Sequence, residues 1–291
     1  MEIRPCSTEA QDLARYAALF GECFPGAKHL DMPYLHWLYA ENPDGEVIGM
    51  DAWFEGQMVA HYACVPVRAR LRGVERRALL SVNTATHPRH QGQGLFTRLA
   101  EATYRAAADL GFHAVHGVAN AQSTPGFVRK LGFTALSPLA ARVGFGAIDE
   151  RPTAALQASA AFHRVWSAEA LRWRGANPHR PFRWHRPRPG TLAASAATGH
   201  WGIRAWAELP DTIVDAANGA LASSALPAAI AAPRLHLGLR PDGAKPLVRR
   251  WIDVPSALRP SPLNLIFRSL TGEAPPASDA ICFDFLDFDA Y

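Results

Sequence analysis

Two short punctuation points, Glu55-Gly56 and Arg72-Gly73, cut residues 46–86 into three runs rich in Val, Ala, Leu and aromatics. A two-residue connection between such runs is a hairpin signal, because only a tight turn reverses a strand in that length. Glu46–Phe54, Gln57–Leu71 and Arg76–Thr86 are therefore expected as three consecutive antiparallel strands. After His87-Pro88 the period changes: Leu95, Leu99, Ala102, Ala106 and Leu110 recur at helical spacing, and Gly111 stops the helix.

The flanks extend this pattern. Ile3 can open a short strand, Ser7–Phe20 reads as a helix capped by Ser7, and Asp31–Ala40 as a second helix before the Asn42-Pro43-Asp44-Gly45 turn. Beyond Gly111 come a strand over Phe112–Ala119, a helix over Thr124–Leu131 ended by Gly132, and a strand from Phe133. The order β-α-α-β-β-β-α-β-α-β predicts an α/β fold with a mixed sheet and helices on its faces. At 291 residues the chain has room for about two domains of roughly 150 residues. The second unit is less regular. Arg151–Ala161 is linker or helix, Asp211–Leu226 a helix, and 235–239, 247–254, 263–269 and 281–288 are strands. Leu38–Pro43 and Trp173–Pro178 both run into an Asn-Pro turn. That echo makes residues 146–291 a candidate degenerate α/β repeat of residues 1–145.

Composition narrows the classes. No run of about 18 apolar residues exists, so no membrane-spanning helix is expected. Met1–Pro5 lacks an apolar signal core, which points to the cytoplasm. Cys6, Cys23, Cys64 and Cys282 show no CxxC or HxC spacing, so neither a metal site nor a disulfide framework is expected. The net charge is +4, and only Lys28, Lys130 and Lys245 are lysines among 30 basic residues. Arginine matches phosphate bidentately, although an arginine-rich composition alone also has a genomic explanation.

The chemistry concentrates in Thr86-His87-Pro88-Arg89-His90-Gln91-Gly92-Gln93-Gly94-Leu95, which joins a strand to a helix start. Two glycines let backbone approach a ligand, and the helix start offers unpaired N–H groups suited to phosphate. The spacing excludes GxGxxG, and no Gly-Lys-Ser/Thr follows. Arg89-x-x-Gly92-x-Gly94 resembles the Arg/Gln-x-x-Gly-x-Gly/Ala motif of the Gcn5-related N-acetyltransferase (GNAT) superfamily. Asn120-x-x-Ser123 and Lys130-Leu131-Gly132-Phe133 look like that family's second block, and the resemblance covers about residues 1–145. It implies an acyl-CoA N-acyltransferase fold with acetyl-CoA as cosubstrate. Thr84, Ala85 and Thr86 would face pantetheine and the thioester. Arg89, His90, Gln91, Gly92, Gln93, Gly94, Leu95 and Phe96 would cradle the pyrophosphate, and Asn120 and Ser123 would line the pantetheine side. An edge N–H on the thioester oxygen would act as an oxyanion donor.

One feature departs from the family. Where many members carry a thiolate-protonating tyrosine, this chain has Phe127 or Val128, depending on the direction of counting. Thiolate is already a fair leaving group, so the loss leaves catalysis possible. The polar strand residues His61, Asn83 and His116 are the catalytic candidates: histidine as base, Asn83 to position a water or the amine. The bland alternative for each histidine is a satisfied or exposed strand residue.

Residues 164–188 hold seven arginines, three tryptophans and Phe182. Such interleaving fits a phosphorylated or nucleotide-linked substrate, single-stranded nucleic acid, or tryptophans anchoring the segment to a core. No RNP or helix-turn-helix pattern supports nucleic acid. The aromatic run Asp31–Tyr39 suits either helix packing or a wall for a sugar ring. The expectation is acetyl transfer from acetyl-CoA to a small polar amine in a ternary complex, with an amino sugar or its nucleotide-linked form preferred. The rival is a non-catalytic CoA-sensing or nucleic-acid-binding module.

Overall fold

The structure, a computed structural model, describes residues 1–200, 202–212, 232–241, 250–259 and 261–288. Both hairpins form as read. β2 (Ile48–Phe54), β3 (Gln57–Leu71) and β4 (Val74–Thr86) pair antiparallel in sequence, and β1 (Glu2–Pro5) adds to β2. Glu55 and Arg72 adopt φ of 50° and 47°, followed by Gly56 at 79° and Gly73 at 82°. Positive φ at both central positions is what a twist-matched two-residue turn demands. α1 (Ala10–Cys23) starts later than expected: Ser7 Oγ accepts the Glu9 N–H at 3.1 Å and so caps a turn ahead of the helix. α2 (Met32–Tyr39) is capped by Asp31, which accepts the Tyr34 N–H at 3.1 Å.

The two sheet faces carry separate cores. Leu13, Tyr16, Leu19 and Phe20 of α1, with Leu35 and Leu38 of α2, pack on one face. α3 (Leu95–Asp109) covers the other through Leu95, Leu99, Ala100, Tyr104 and Ala107. β5 (Ala114–Ala119) begins at Ala114 rather than Phe112 and runs parallel to β4; α4 (Thr124–Leu131), β6 (Thr134–Pro138) and β7 (Ala140–Gly144) follow.

The second half contributes α5 (Thr153–Ser159), β8 (Phe162–Val165), α6 (Ala168–Gly175), β9 (Arg183–Arg188), β10 (Thr191–Ala197), β11 (Arg204–Pro210), β12 (Arg234–Leu239), β13 (Trp251–Asp253), β14 (Asn264–Ser269) and β15 (Ile281–Asp284). Its strand path repeats the first: β9, β10 and β11 pair antiparallel, and β12 then lies parallel to β11. Two strands are exchanged between the halves. β14 sits antiparallel between β5 and β6, while β7 sits antiparallel between β12 and β13. The first half of the sheet therefore reads β2-β3-β4-β5-β14-β6 and the second β9-β10-β11-β12-β7-β13. β8 joins them into one continuous sheet, antiparallel to β3 at Arg68–Leu71 and parallel to β15. The division expected near residue 145 is thus crossed by β7, β8 and β14.

α2 and α6 meet about a local pseudo-twofold. Trp37 and Trp173 stack at 4.9 Å and 18°, and each Nε1 donates to the other's backbone carbonyl, at 2.8 and 2.9 Å. Behind them, Asn42 Oδ1 accepts the Asp44 N–H and Asn177 Oδ1 accepts those of His179 and Arg180. Trp166, Trp173, Phe182 and Trp184 are buried, and Arg174 donates to the carbonyls of Leu286 and Phe288. The aromatic part of residues 164–188 is thus core, and only Arg172, Arg180, Arg183 and Arg186 of its arginines are exposed. The strand expected over 281–288 stops at Asp284, where a capping box starts a 3-10 turn, Phe285–Asp287. Most of the helix expected at 211–226, and residues 247–249 of one expected strand, lie outside the described residues. Among the described residues no helix is long and apolar enough to cross a membrane.

Candidate functional site

β4 and β5 pair only from Ala78–Ser81 against Ala114–Gly117. Beyond Ser81, β4 continues to Thr86 with no partner on that edge among the described residues, so a V-shaped notch opens between two parallel strands. A bulge sits at its apex: opposite β3 the register jumps from Cys64↔Ser81 to Tyr62↔Thr84. Val82 and Asn83 therefore share a single partner position, which re-aims the side chains beyond it. The second half has the same divergence, since β11 and β12 pair only at Arg204–Ala205 with Arg234–Leu235. There β15 fills the gap, pairing Phe283 and Asp284 with Leu239 and Gly238. A Cβ on Gly238 would come within 2.1 Å of the Phe283 carbonyl oxygen. Only the first notch is open.

At the mouth of that notch the chain turns into α3. Gly92 and Gly94 hold φ of 76° and 72°, in the left-handed region where glycine carries no penalty. Gly94 is the N-cap and offers no side chain to the first turn, which leaves those N–H groups for a ligand. His87 braces the loop. Its backbone N–H donates to Val59 O at 2.9 Å, its Nδ1 accepts the Arg89 N–H at 3.2 Å, and its Nε2 lies 2.8 Å from Glu22. A cleft of about 410 Å³ results, walled by Thr84, Ala85, Thr86, His90, Gln91, Gly92, Gly94, Leu95, Phe96 and Thr97, with Cys23, Phe24 and Lys130.

Most of the expected cofactor residues thus converge, and three groups do not. Arg89 lines a neighbouring groove on the far side of the loop, with Trp53 and Arg15. Gln93 is outside the cleft wall. Asn120 and Ser123 are bonded to each other: Asn120 Oδ1 accepts the Gln122 and Ser123 N–H groups at 3.0 and 2.9 Å, and Ser123 Oγ accepts the Asn120 N–H at 3.1 Å. Sequence reading missed Cys23, Phe24 and Thr97. Cys23 and Phe24 arrive from the C-terminal end of α1 by tertiary packing alone. Phe127 packs edge-on to Phe96 at 5.2 Å and Phe133 at 5.1 Å, while Val128 faces outward, so neither supplies a proton.

On the α1/α2 face lies a chain of buried polar groups. His61 Nδ1 is 2.6 Å from Asp51 Oδ1, and His61 Nε2 is 2.8 Å from the Tyr39 hydroxyl. Asn83 Nδ2 donates to that hydroxyl at 3.0 Å, and the Tyr16 hydroxyl donates to Asp51 Oδ2 at 2.9 Å. Cys6 Sγ closes the group, 3.5 Å from Asp51 Oδ1. Burial, the Asp51 charge and their hydrogen bond push its thiol pKa well up. Cys6, Asp51 and His61 are of metal-ligating type, but the Asp51–His61 spacing is that of a hydrogen bond. His61 is fully buried and reaches the notch only through Tyr39 and Asn83. The pair was not readable from the turn: a two-residue turn at Glu55-Gly56 alone sets Asp51 opposite Ala60, and a bulge between Ala52 and Trp53 shifts the register by one to bring it opposite His61.

His116 is removed from the catalytic candidates. It is fully buried against Phe162 at 5.2 Å and Phe283 at 6.2 Å, and neither ring nitrogen has a partner among the described residues. Burial, then the Arg164 charge, push its pKa down to about 3, so the ring stays neutral. The unfolded chain protonates it from about pH 6.5 downward, whereas the fold does not until about 3. The unfolded state binds the extra proton, so acidification through this window costs stability at about 1.4 kcal/mol per pH unit for this group. His116→Leu is therefore expected to lose less stability than the parent between pH 6.5 and 4.5. Urea denaturation at both pH values checks this, and equal losses in the two proteins would contradict it.

Residues 2–136 match the family described as Acetyltransferase (GNAT) domain. No curated protein matches the chain. A probable N-acyltransferase from Enterococcus faecalis superposes with a TM-score of 0.57 at 11% identity, over 92% of this chain and 72% of its own. A GCN5-related N-acetyltransferase from Anabaena variabilis gives 0.57 at 10%, over 92% and 73%. The N-myristoyltransferase of Saccharomyces cerevisiae, with bound myristoyl-CoA, gives 0.50 at 10%, over 72% and 62%. At these identities the likeness is one of fold, and in the first two it runs through both halves.

Proposed function

Residues 2–136 belong to the GNAT acetyltransferase domain family, and on that premise we propose that the protein transfers an acetyl group from acetyl-CoA to the primary amine of a small polar acceptor. The observation that carries the reading is the open notch with an uncapped helix start at its mouth. The first-turn N–H groups of α3 and the loop at Gly92 and Gly94 would take the pyrophosphate. The unpaired edge of β4 beyond Ser81 would take pantetheine and offer an N–H to the thioester oxygen. The amine, approaching from the α1/α2 face beside Asn83, attacks the carbonyl carbon directly. The C–S bond breaks, the thiolate leaves, and the amine nitrogen gives up its proton to solvent. With Phe127 and Val128 at the usual acid position, the leaving thiolate is protonated from solvent as well.

The second half supports this site rather than adding another. We read it as a degenerate copy of the first, because its strand path repeats and β15 fills its notch. An amino sugar, free or nucleotide-linked, remains the preferred class, now without help from the buried aromatics of residues 164–188.

Calorimetry with CoA, joined to a free-thiol assay over amino sugars, nucleotide-linked amino sugars, amino acids, polyamines and peptides, tests this. CoA binding with thiol release on an amino sugar is expected. Binding without release on any amine would make the protein a CoA sensor, and turnover confined to peptides would refute the acceptor class.

A further inference from the structure

The hydrogen bonds behind Asn83 run in one direction only. Asp51 is buried and, as a carboxylate, can only accept. Its Oδ1 lies 2.6 Å from His61 Nδ1, so that nitrogen carries the proton. In the neutral ring His61 Nε2 is then a lone pair, and the Tyr39 hydroxyl at 2.8 Å donates to it. With its proton spent, the Tyr39 oxygen can only accept, and it does so from Asn83 Nδ2 at 3.0 Å. An amide that turns its NH2 toward Tyr39 turns its carbonyl oxygen away from it.

Nothing nearby competes for this polarity. Tyr16 donates to the second Asp51 oxygen, and Cys6 lies 3.5 Å from Asp51 Oδ1 and 3.7 Å from His61 Nδ1. Tyr16, Tyr39 and His61 are all at 0% exposure. Asn83, by contrast, is half-buried, occupies the bulge at the apex of the notch, and directly precedes Thr84 of the cleft wall. Its Oδ1 has no protein partner among the described residues.

We propose that Asp51, His61 and Tyr39 are positioning residues that lock the Asn83 amide so that its Oδ1 accepts a hydrogen bond from the N–H of the attacking amine. This rests on the N-acyltransferase reading. An amine held through its N–H keeps its lone pair free for the carbonyl carbon. The arrangement selects an acceptor nitrogen that retains an N–H, a primary amine above a tertiary one. The buried groups never touch substrate; they hand the fixed charge of Asp51 forward as an orientation.

The test uses the full-length protein, acetyl-CoA, and the amine of highest turnover in the acceptor screen. Asn83→Ala is expected to raise KM for the amine by about tenfold, while KM for acetyl-CoA stays within about twofold. Tyr39→Phe should move KM for the amine in the same direction. In an Asn83→Asp background both side-chain oxygens accept, so orientation no longer depends on Tyr39. Adding Tyr39→Phe there should change KM for the amine little. A Tyr39→Phe effect of equal size in both backgrounds would mark a merely structural hydroxyl and overturn the inference. An unchanged amine KM in Asn83→Ala would overturn it too, and decides the matter alone if Tyr39→Phe fails to fold. CoA affinity, measured by calorimetry on every variant, separates the two levels. A wild-type protein without CoA affinity overturns the acyltransferase reading and this inference with it, whereas intact affinity with an unmoved amine KM overturns only the inference.

Discussion

A chain ended after residue 145 is expected to yield no stable domain, although the family match lies wholly within it. β14 supplies six residues to β5 and four to β6, and without it those strands face each other across an empty lane. Leu265, Ile266 and Phe267 are each at most 3% exposed. Removing three such side chains forfeits about 5–9 kcal/mol of apolar burial before any ladder bonds are counted. Whole domains are stable by only about 5–15 kcal/mol. β7 would meanwhile lose both its partners, β12 and β13. The truncated protein should be insoluble or show no cooperative melt by circular dichroism. A sharp thermal transition in a soluble 1–145 fragment would refute this account of the sheet.

Gly92→Asp should abolish measurable CoA binding while leaving the fold standing. A Cβ at Gly92 meets nothing within 4 Å, so no core atom has to move. The fold bears a modest backbone strain, and CoA binding bears the larger cost. The position holds φ of 76°, which an L-residue adopts at about 1–2 kcal/mol, and the new carboxylate would sit beside a pyrophosphate. A drop of at least about a hundredfold in affinity is expected by calorimetry, with the melting curve close to the parent's. Gly92→Ala carries the same backbone strain without the charge and should lose far less. Equal affinities for parent and Asp variant would remove the loop from the binding site.

The first half was legible because its signals are local. Glu55-Gly56 and Arg72-Gly73 force hairpins, the 95–110 spacing makes α3, and Gly92 and Gly94 announce a turn that a side chain would hinder. Residues 264–269 were also readable as a strand, but not its address. Pairing with β5 and β6 spans more than a hundred residues, and nothing in the pattern of one strand encodes its neighbours. The histidines failed for a related reason. His61 and His116 are both polar residues on central strands, yet one is wired to Asp51 and Tyr39 and the other is enclosed by phenylalanines. Which fate applies depends on what packs over the strand. The arginine- and tryptophan-rich stretch misled because the composition of a binding surface is also that of a tryptophan-anchored interface, as the Trp37–Trp173 stack shows.

The exchanged strands also impose an order of events on synthesis. A ribosome emits β5 and β6 well before the segment that belongs between them. At ~5–20 residues per second, the interval from residue 138 to residue 264 is on the order of ten seconds. Throughout it, the nascent first half carries two unpaired strand edges and an apolar lane with no occupant. Such edges are templates for other chains. Yield in the cell should therefore depend on escort by a holding chaperone during that interval more than on the stability of the finished molecule, and slowing elongation after residue 138 should harm it.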